Sequence, residues 1–173
     1  MKPIIKRVTE ADAGVLAALS AATFFDTFKG TCTVADMNRF LETNFNIDQV
    51  KTELLNTNDL FYFAELEGKP VGYLRIMEDY ESFPMMRKWK ALELKRIYVD
   101  KDYHGKGIAQ SLMQFMETYA ADNHFEVIWL GVWEHNERAK KFYAKYGFID
   151  SGYTHDFPIG STPQTDHWLW KFL

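Results

Sequence analysis

The spacing of apolar positions along this chain changes several times, and the changes mark its elements. Residues 4–8 form a short apolar run that predicts a strand. Thr9 follows as a helix cap, with Glu10 and Asp12 at the positive end of the helix it opens. Val15, Leu16, Leu19, Ala22 and Phe25 then recur at helical spacing. Val34, Met37, Phe40 and Leu41 predict a second helix over 34–43, and Val50 with Leu54 a third over 47–56. After Asp59 the period changes. Residues 60–66 and 71–77 are β-rich runs joined by Glu67-Gly68-Lys69-Pro70, a hairpin signature. Residues 91–99 predict another strand, with apolar and charged side chains mixed along it. A helix over 108–121, a buried strand over 127–132 and a helix over 136–146 follow, and Gly147 stands where a left-handed helix terminus is needed. Strands near 148–155 and 166–172 close the series. The order βααα–ββ–βαβα–ββ is that of a mixed α/β fold around a central sheet. Within it, 91–99, 108–121 and 127–132 make a parallel βαβ unit.

Composition narrows this picture. The chain has 173 residues and no repeat, low-complexity tract or linker, so it reads as one domain over 1–173. Hydrophobic residues make up 47%, with 14 Phe, 9 Tyr and 5 Trp, enough to fill a core and to exclude disorder or a coiled coil. Lys and Arg number 20 against 24 Asp and Glu, a net charge of −4 that argues against nucleic acid as a partner. Neither a signal peptide nor a run able to span a bilayer is apparent, and the single Cys32 suits a reducing compartment. The expectation is a cytoplasmic protein without a membrane partner. Scattered histidines and a lone cysteine predict no metal site.

The candidate chemistry begins at Val99-Asp100-Lys101-Asp102-Tyr103-His104-Gly105-Lys106-Gly107-Ile108-Ala109. A strand ends, a short loop carries two glycines, and a helix begins. Such a loop lets the backbone approach an anion closely, with the N–H groups of the helix N-terminus converging on it. A P-loop would need Ser or Thr after Gly105-Lys106, and a dinucleotide fingerprint would need glycine in place of Gln110. An ordinary glycine-rich strand–helix turn remains equally open on these residues alone. Farther on, Asn136 and Tyr143 are seven positions apart, two helical turns, and so share a face. They could serve one ligand with an amide and a phenol, or Tyr143 could be a half-buried core aromatic beside Phe142.

Taken together these segments resemble the GNAT superfamily of acetyl-CoA-dependent N-acetyltransferases. His104-Gly105-Lys106-Gly107-Ile108-Ala109 is similar to its pyrophosphate loop, with His104 where Arg or Gln is usual. Residues 136–148 are similar to its N-x-x-A-x-x-F-Y-x-x-x-G-F run. Phe25-Asp26-Thr27-Phe28, Ala91-Leu92-Glu93-Leu94, Arg96-Ile97-Tyr98-Val99, Gly131-Val132-Trp133-Glu134 and Gln164-Thr165-Asp166 further resemble the bacterial PaiA-type spermidine/spermine acetyltransferases.

The resemblance implies a mixed sheet that splays between its fourth and fifth strands and direct acetyl transfer to a primary amine. It implies main-chain contacts to the pantetheine arm of acetyl-CoA from Ile97, Tyr98 and Val99, and a pyrophosphate cradle over His104, Gly105, Lys106, Gly107, Ile108 and Ala109 with Gln110 at its edge. Asn136 would hold the cofactor at the splay, and Lys145 is a further candidate contact. Tyr143 matches the family's tyrosine, the general acid at the thiolate. Glu93 stands where some members carry a catalytic glutamate. A polyamine acceptor would need acids and aromatic faces, for which Asp26, Glu42, Asp79, Glu93, Tyr80 and Phe28 are candidates. A protein or peptide acceptor, or a regulatory module that binds CoA with little turnover, are the alternatives. The aromatic alternation over 167–172 is compatible with a monomer that covers it or a homodimer built on it.

Overall fold

A computed structural model describes residues 2–173. Its strands are β1 (Ile4–Arg7), β2 (Asp59–Leu66), β3 (Lys69–Met77), β4 (Ala91–Val99), β5 (Val127–Trp133), β6 (Ile149–Asp156) and β7 (Thr165–Phe172). Its helices are α1 (Ala13–Phe28), α2 (Val34–Asn44), α3 (Ile47–Leu55), α4 (Ile108–Asp122) and α5 (Glu137–Lys145). No described helix is long and apolar enough to cross a membrane. The expected element order holds, and so does the mixed α/β class. The boundaries moved where local hydrogen bonding decided them. Thr9 N–H and its hydroxyl both donate to Asp12 at 2.9 Å, which closes a 3₁₀ turn over Glu10–Asp12, so the α-helix begins only at Ala13. A second 3₁₀ turn, Pro84–Lys88, was not foreseen.

The seven strands form one sheet in the order β1-β2-β3-β4-β5-β7-β6. Only β4 and β5 are parallel, and they pair through Ala91, Leu92 and Glu93 alone, opposite Val127, Ile128 and Trp129. Beyond these pairs both strands continue but part company. This is the splay between the fourth and fifth strands that the resemblance implies. A bulge in β4 prepares it. Arg75 faces Arg96 and Ile76 faces Leu94, so Lys95 has no partner on β3. The bulge resets the alternation of side chains. Leu92, Leu94, Ile97 and Val99 all pack into the core beneath α4, while Glu93 and Tyr98 belong to the opposite face. That is why charged and apolar residues looked mixed along this strand.

The main core joins the inner faces of β2–β5 to α4 and α5, through Leu74, Ile76, Leu112, Met113, Met116 and Ile128. On the other face α1 and α3 cover Phe61, Phe63 and Tyr73. Burying such side chains contributes about 1.5–3 kcal/mol each. An aromatic cluster of Phe83, Trp129, Trp168 and Trp170 lies under the 3₁₀ turn, which covers most of the C-terminal aromatic alternation within the chain itself. Phe172 stays 47% exposed at the end of that row.

Candidate active site

The splay opens a cleft of about 800 Å³. One wall is β4 from Glu93 to Val99, the other is Gly131, Val132 and Trp133 of β5, and α1, α5 and the β6–β7 hairpin close the sides. At one end stands the loop into α4. Gly105 and Gly107 both take positive φ, 76° and 81°, and a Cβ at either would meet no atom within 4 Å. The backbone angle, not crowding inside the chain, is what favours glycine there. Gly107 caps α4. The first helical bond is Ser111 N–H to Gly107 O at 3.0 Å, so the amides of Gly107, Ile108, Ala109 and Gln110 have no acceptor farther back in the helix. They constitute an anion-binding end of the kind a pyrophosphate fits. The side chain of Ile108 is buried in the core and serves only to anchor this turn.

One expectation about this end, the main-chain role of Tyr98, needs correction, and the side chains of the loop engage the chain itself. His104 turns its ring onto its neighbours. Its Nε2 lies 2.8 Å from Val99 O and its Nδ1 3.0 Å from an Arg138 guanidinium nitrogen, so it ties the loop to β4 and α5. Lys106 places its ammonium over the Tyr103 ring, 4.7 Å from the centroid. Tyr98 does not offer its main chain to the cleft. Asp100 N–H donates to Val71 O at 2.9 Å, and with Tyr98 opposite Tyr73 the alternation of an antiparallel ladder turns the Tyr98 main chain toward β3. The same alternation turns the main chains of Ile97 and Val99 toward the splay. Tyr98 lines the cleft with its side chain instead. Gln110 and Lys145 lie outside the cleft, beside Arg138 and Lys141 in a shallow depression on its outer side.

Asn136 and Tyr143 do face the same cleft. Asn136 is the N-cap of α5, its Oδ1 accepting from Ala139 N–H at 3.1 Å, which leaves the amide NH₂ for a ligand. Tyr143 is held from the far end of this helix by a Schellman closure. Phe148 N–H donates to Tyr143 O at 3.2 Å, Gly147 N–H to Ala144 O at 3.1 Å, and the Tyr143 and Phe148 rings pack 5.8 Å apart. Burial, with the charge of Asp166, pushes the Tyr143 phenol above its ordinary range, so it keeps its proton at neutral pH.

Glu93 is 5% exposed and lines the cleft at the base of the splay. Burial pushes its carboxyl up to about 7, against the pull of Lys95, whose Nζ lies 3.3 Å away. Of the other acids, Asp26 lines the mouth and is paired with Lys29 and Lys101, at 3.1 and 3.3 Å. Asp79 binds Lys95 at 3.7 Å, behind Glu93. Glu42 is an exposed residue of α2 and lines no part of the cleft, and the Tyr80 hydroxyl is engaged with Glu78 and Ala91 N–H. Phe28 does form part of the wall, 5.6 Å from Trp133. Cys32 is half-buried, its thiol pushed up by burial and by Asp36, as expected of an inert packing residue.

Sequence reasoning missed two residues in the cleft. His155 and Asp166 face each other across β6 and β7, and both line it. Asp166 stood inside a resembling block but carried no role, because only the folded hairpin brings it to the splay.

A parallel strand pair that parts over a cleft, with a helix N-terminus at one end and a buried tyrosine and glutamate farther in, defines a site for an extended anionic cosubstrate and a second, smaller reactant. The sequence profile described as the acetyltransferase (GNAT) family matches residues 23–148. An uncharacterised N-acetyltransferase of Lactobacillus delbrueckii subsp. lactis is 36% identical over 170 residues, covering 98% of this chain and 96% of that one. Another, of Mycobacterium bovis, is 30% identical over 156 residues, covering 90% and 94%. Among solved structures, a PaiA N-acetyltransferase of Thermoplasma acidophilum in complex with coenzyme A superposes with a TM-score of 0.79 over all of both chains at 18% identity. A GCN5-related N-acetyltransferase of Rhodopseudomonas palustris does so with a TM-score of 0.77, covering 100% and 97%, again at 18% identity. The chain belongs to the acetyltransferase (GNAT) family and is an acetyl-CoA-dependent N-acetyltransferase.

Proposed function

We propose that this chain, working as one domain in the cytoplasm, acetylates small cationic amines, polyamines such as spermidine or spermine among them. The observation that carries the reading is the lining of the cleft, which includes the carboxylates of Glu93, Asp26 and Asp166 and the rings of Phe28, Trp133 and Trp168. Carboxylates and aromatic faces are what a protonated amine binds.

Acetyl-CoA supplies an activated acetyl group as a thioester. The amides at the start of α4 would hold its pyrophosphate, the main chain of Ile97 and the N–H of Val99 its pantetheine arm, and Asn136 its polar groups at the splay. An alkylammonium with a pKa of about 10.4 must lose a proton before it attacks. Glu93, with a carboxyl pushed up to about 7, would take that proton directly or through water. Tyr143, which retains its phenolic proton, would donate to the sulfur as CoA departs.

The test is CoA release from acetyl-CoA with spermidine, spermine, putrescine, other small amines and peptides as acceptors. Turnover of the polyamines at higher kcat/KM than of peptides is the expected result. Turnover with peptides alone would overturn the reading. Tight acetyl-CoA binding without any turnover would replace it with a regulatory module.

A further inference from the structure

His155 and Asp166 of the β6–β7 hairpin both line the cleft, and each carries one polar atom without a partner among the described residues. Asp166 Oδ1 and His155 Nδ1 are both buried, and neither makes a hydrogen bond within the protein. The two residues stand directly opposite each other in register. Their Cβ atoms are therefore about 4.5–5.5 Å apart on one face of the hairpin. Buried polar atoms are nearly always satisfied by protein or by ordered water, and two unpaired ones on adjacent cleft-lining residues mark this wall as a place where a polar ligand would find free groups.

The surroundings state its chemistry. A Cβ on Gly131 would stand 3.1 Å from Asp166 Oδ2 and 3.1 Å from the Trp168 ring. The absence of that carbon lets the carboxylate come down over β5 just past the splay. There it is close enough to Tyr143 and Tyr98 for its charge to be felt by both phenols. His155 packs on Trp168 with centroids 4.8 Å apart, and Trp133 faces Asp166 across the next strand pair. A carboxylate, beside an imidazole nitrogen that accepts in one of its two neutral tautomers, in an aromatic recess fits an N–H donor carrying positive charge.

We propose that Asp166 and His155 bind a protonated nitrogen of the acceptor, making the β6–β7 hairpin the element that selects cationic amines. This rests on the small-amine reading above and adds a recognition site to it. Glu93 cannot fill that place, since it lies on β4 opposite Trp129, four residues back along β5 from the Trp133 that faces Asp166. That is about 13 Å along the strand.

Spermidine binding to the CoA complex, followed by titration calorimetry, separates these roles. Asp166→Asn should weaken spermidine binding at least tenfold and leave the affinity for CoA within twofold. His155→Ala should weaken it several-fold, and Asp166→Glu should recover part of the loss because the charge returns. Unchanged spermidine affinity in Asp166→Asn, with wild-type protein binding it, would overturn the proposal and leave the small-amine reading standing. Equal loss of spermidine and CoA would also overturn it, by showing a merely structural role. Failure of the wild-type protein to bind spermidine, together with turnover of peptides only, would overturn both.

Discussion

At the α4 end of the cleft the groups that would face a ligand are main-chain amides, whereas at the β6–β7 end they would be side chains. The first end is fixed by two positive-φ glycines and a helix start, and no side chain of the loop is needed as a ligand. The second end depends on Glu93, Tyr143, His155 and Asp166, brought together from β4, α5, β6 and β7. A backbone site does not depend on the side chains of its loop, which are free for other work, as His104 is in bracing the loop against β4 and α5. A side-chain site carries both chemistry and selectivity, and it can be altered one residue at a time. Substitutions at the two ends should accordingly separate cofactor binding from turnover.

The largest separation is expected at Tyr143. Phenylalanine there keeps the ring packing on Phe142 and Phe148 and removes only the hydroxyl. Tyr143→Phe should lower kcat by ~10²-fold or more, about 3 kcal/mol of transition-state stabilisation, with acetyl-CoA affinity near normal. Steady-state kinetics beside direct binding will show it. Unchanged kcat with chemistry rate-limiting would remove Tyr143 from the acid role and leave the comparison without its sharpest contrast.

The contrast also explains what was legible in the sequence. A backbone cradle is written locally, so Gly105 and Gly107 between a strand and a helix suggested one without knowledge of the fold, with an ordinary turn equally open until the run over 136–148 was set beside them. Tyr143 and Asn136 were legible for a similar reason, being two helical turns apart on one helix. The acceptor wall was not. His155 and Asp166 are ordinary residues of an alternating hairpin until β7 inserts between β5 and β6. The bulge at Lys95 was hidden too, because one extra residue in β4 turns a regular alternation into an apparently mixed one. Main-chain direction was equally invisible, which is how Tyr98 came to be counted with Ile97 and Val99.

A smaller effect, opposite in kind, is expected at the other end. Gly107→Val places a β-branched residue at φ 81°, with free space around its Cβ but a strained backbone. Strain of roughly 1–2 kcal/mol would be relieved by moving the loop. Acetyl-CoA affinity should fall by about tenfold, while kcat at saturating acetyl-CoA changes little. Calorimetric titration of acetyl-CoA checks this, and undiminished affinity would mean that the loop is not the cradle.

The smallest effect concerns what the acceptor end does to the fold. Desolvation raises the Asp166 carboxyl from 3.8 to about 6, opposed by the charge of His167. The other groups facing it are His155 on β6, Tyr143 on α5 and Tyr98 on β4. A carboxyl raised in the folded state ionises first in the unfolded chain. Its contribution to stability is therefore greatest below pH 3.8 and is lost as the pH rises through about 6. Above that pH the folded protein carries a buried charge whose Oδ1 has no partner. The cost is on the order of 1–2 kcal/mol after discounting for residual exposure. Asp166→Asn should consequently raise Tm by about 3–6 °C at pH 8 and by much less at pH 4. Glu93→Gln offers no such clean comparison, because Lys95 would lose the nearer of its two carboxylates, at 3.3 Å, and keep only Asp79 at 3.7 Å. A Tm difference independent of pH would show that Asp166 is already satisfied in the folded chain. A gain confined to high pH would show that the ionised Asp166 carboxylate is kept on the cleft wall at the expense of stability.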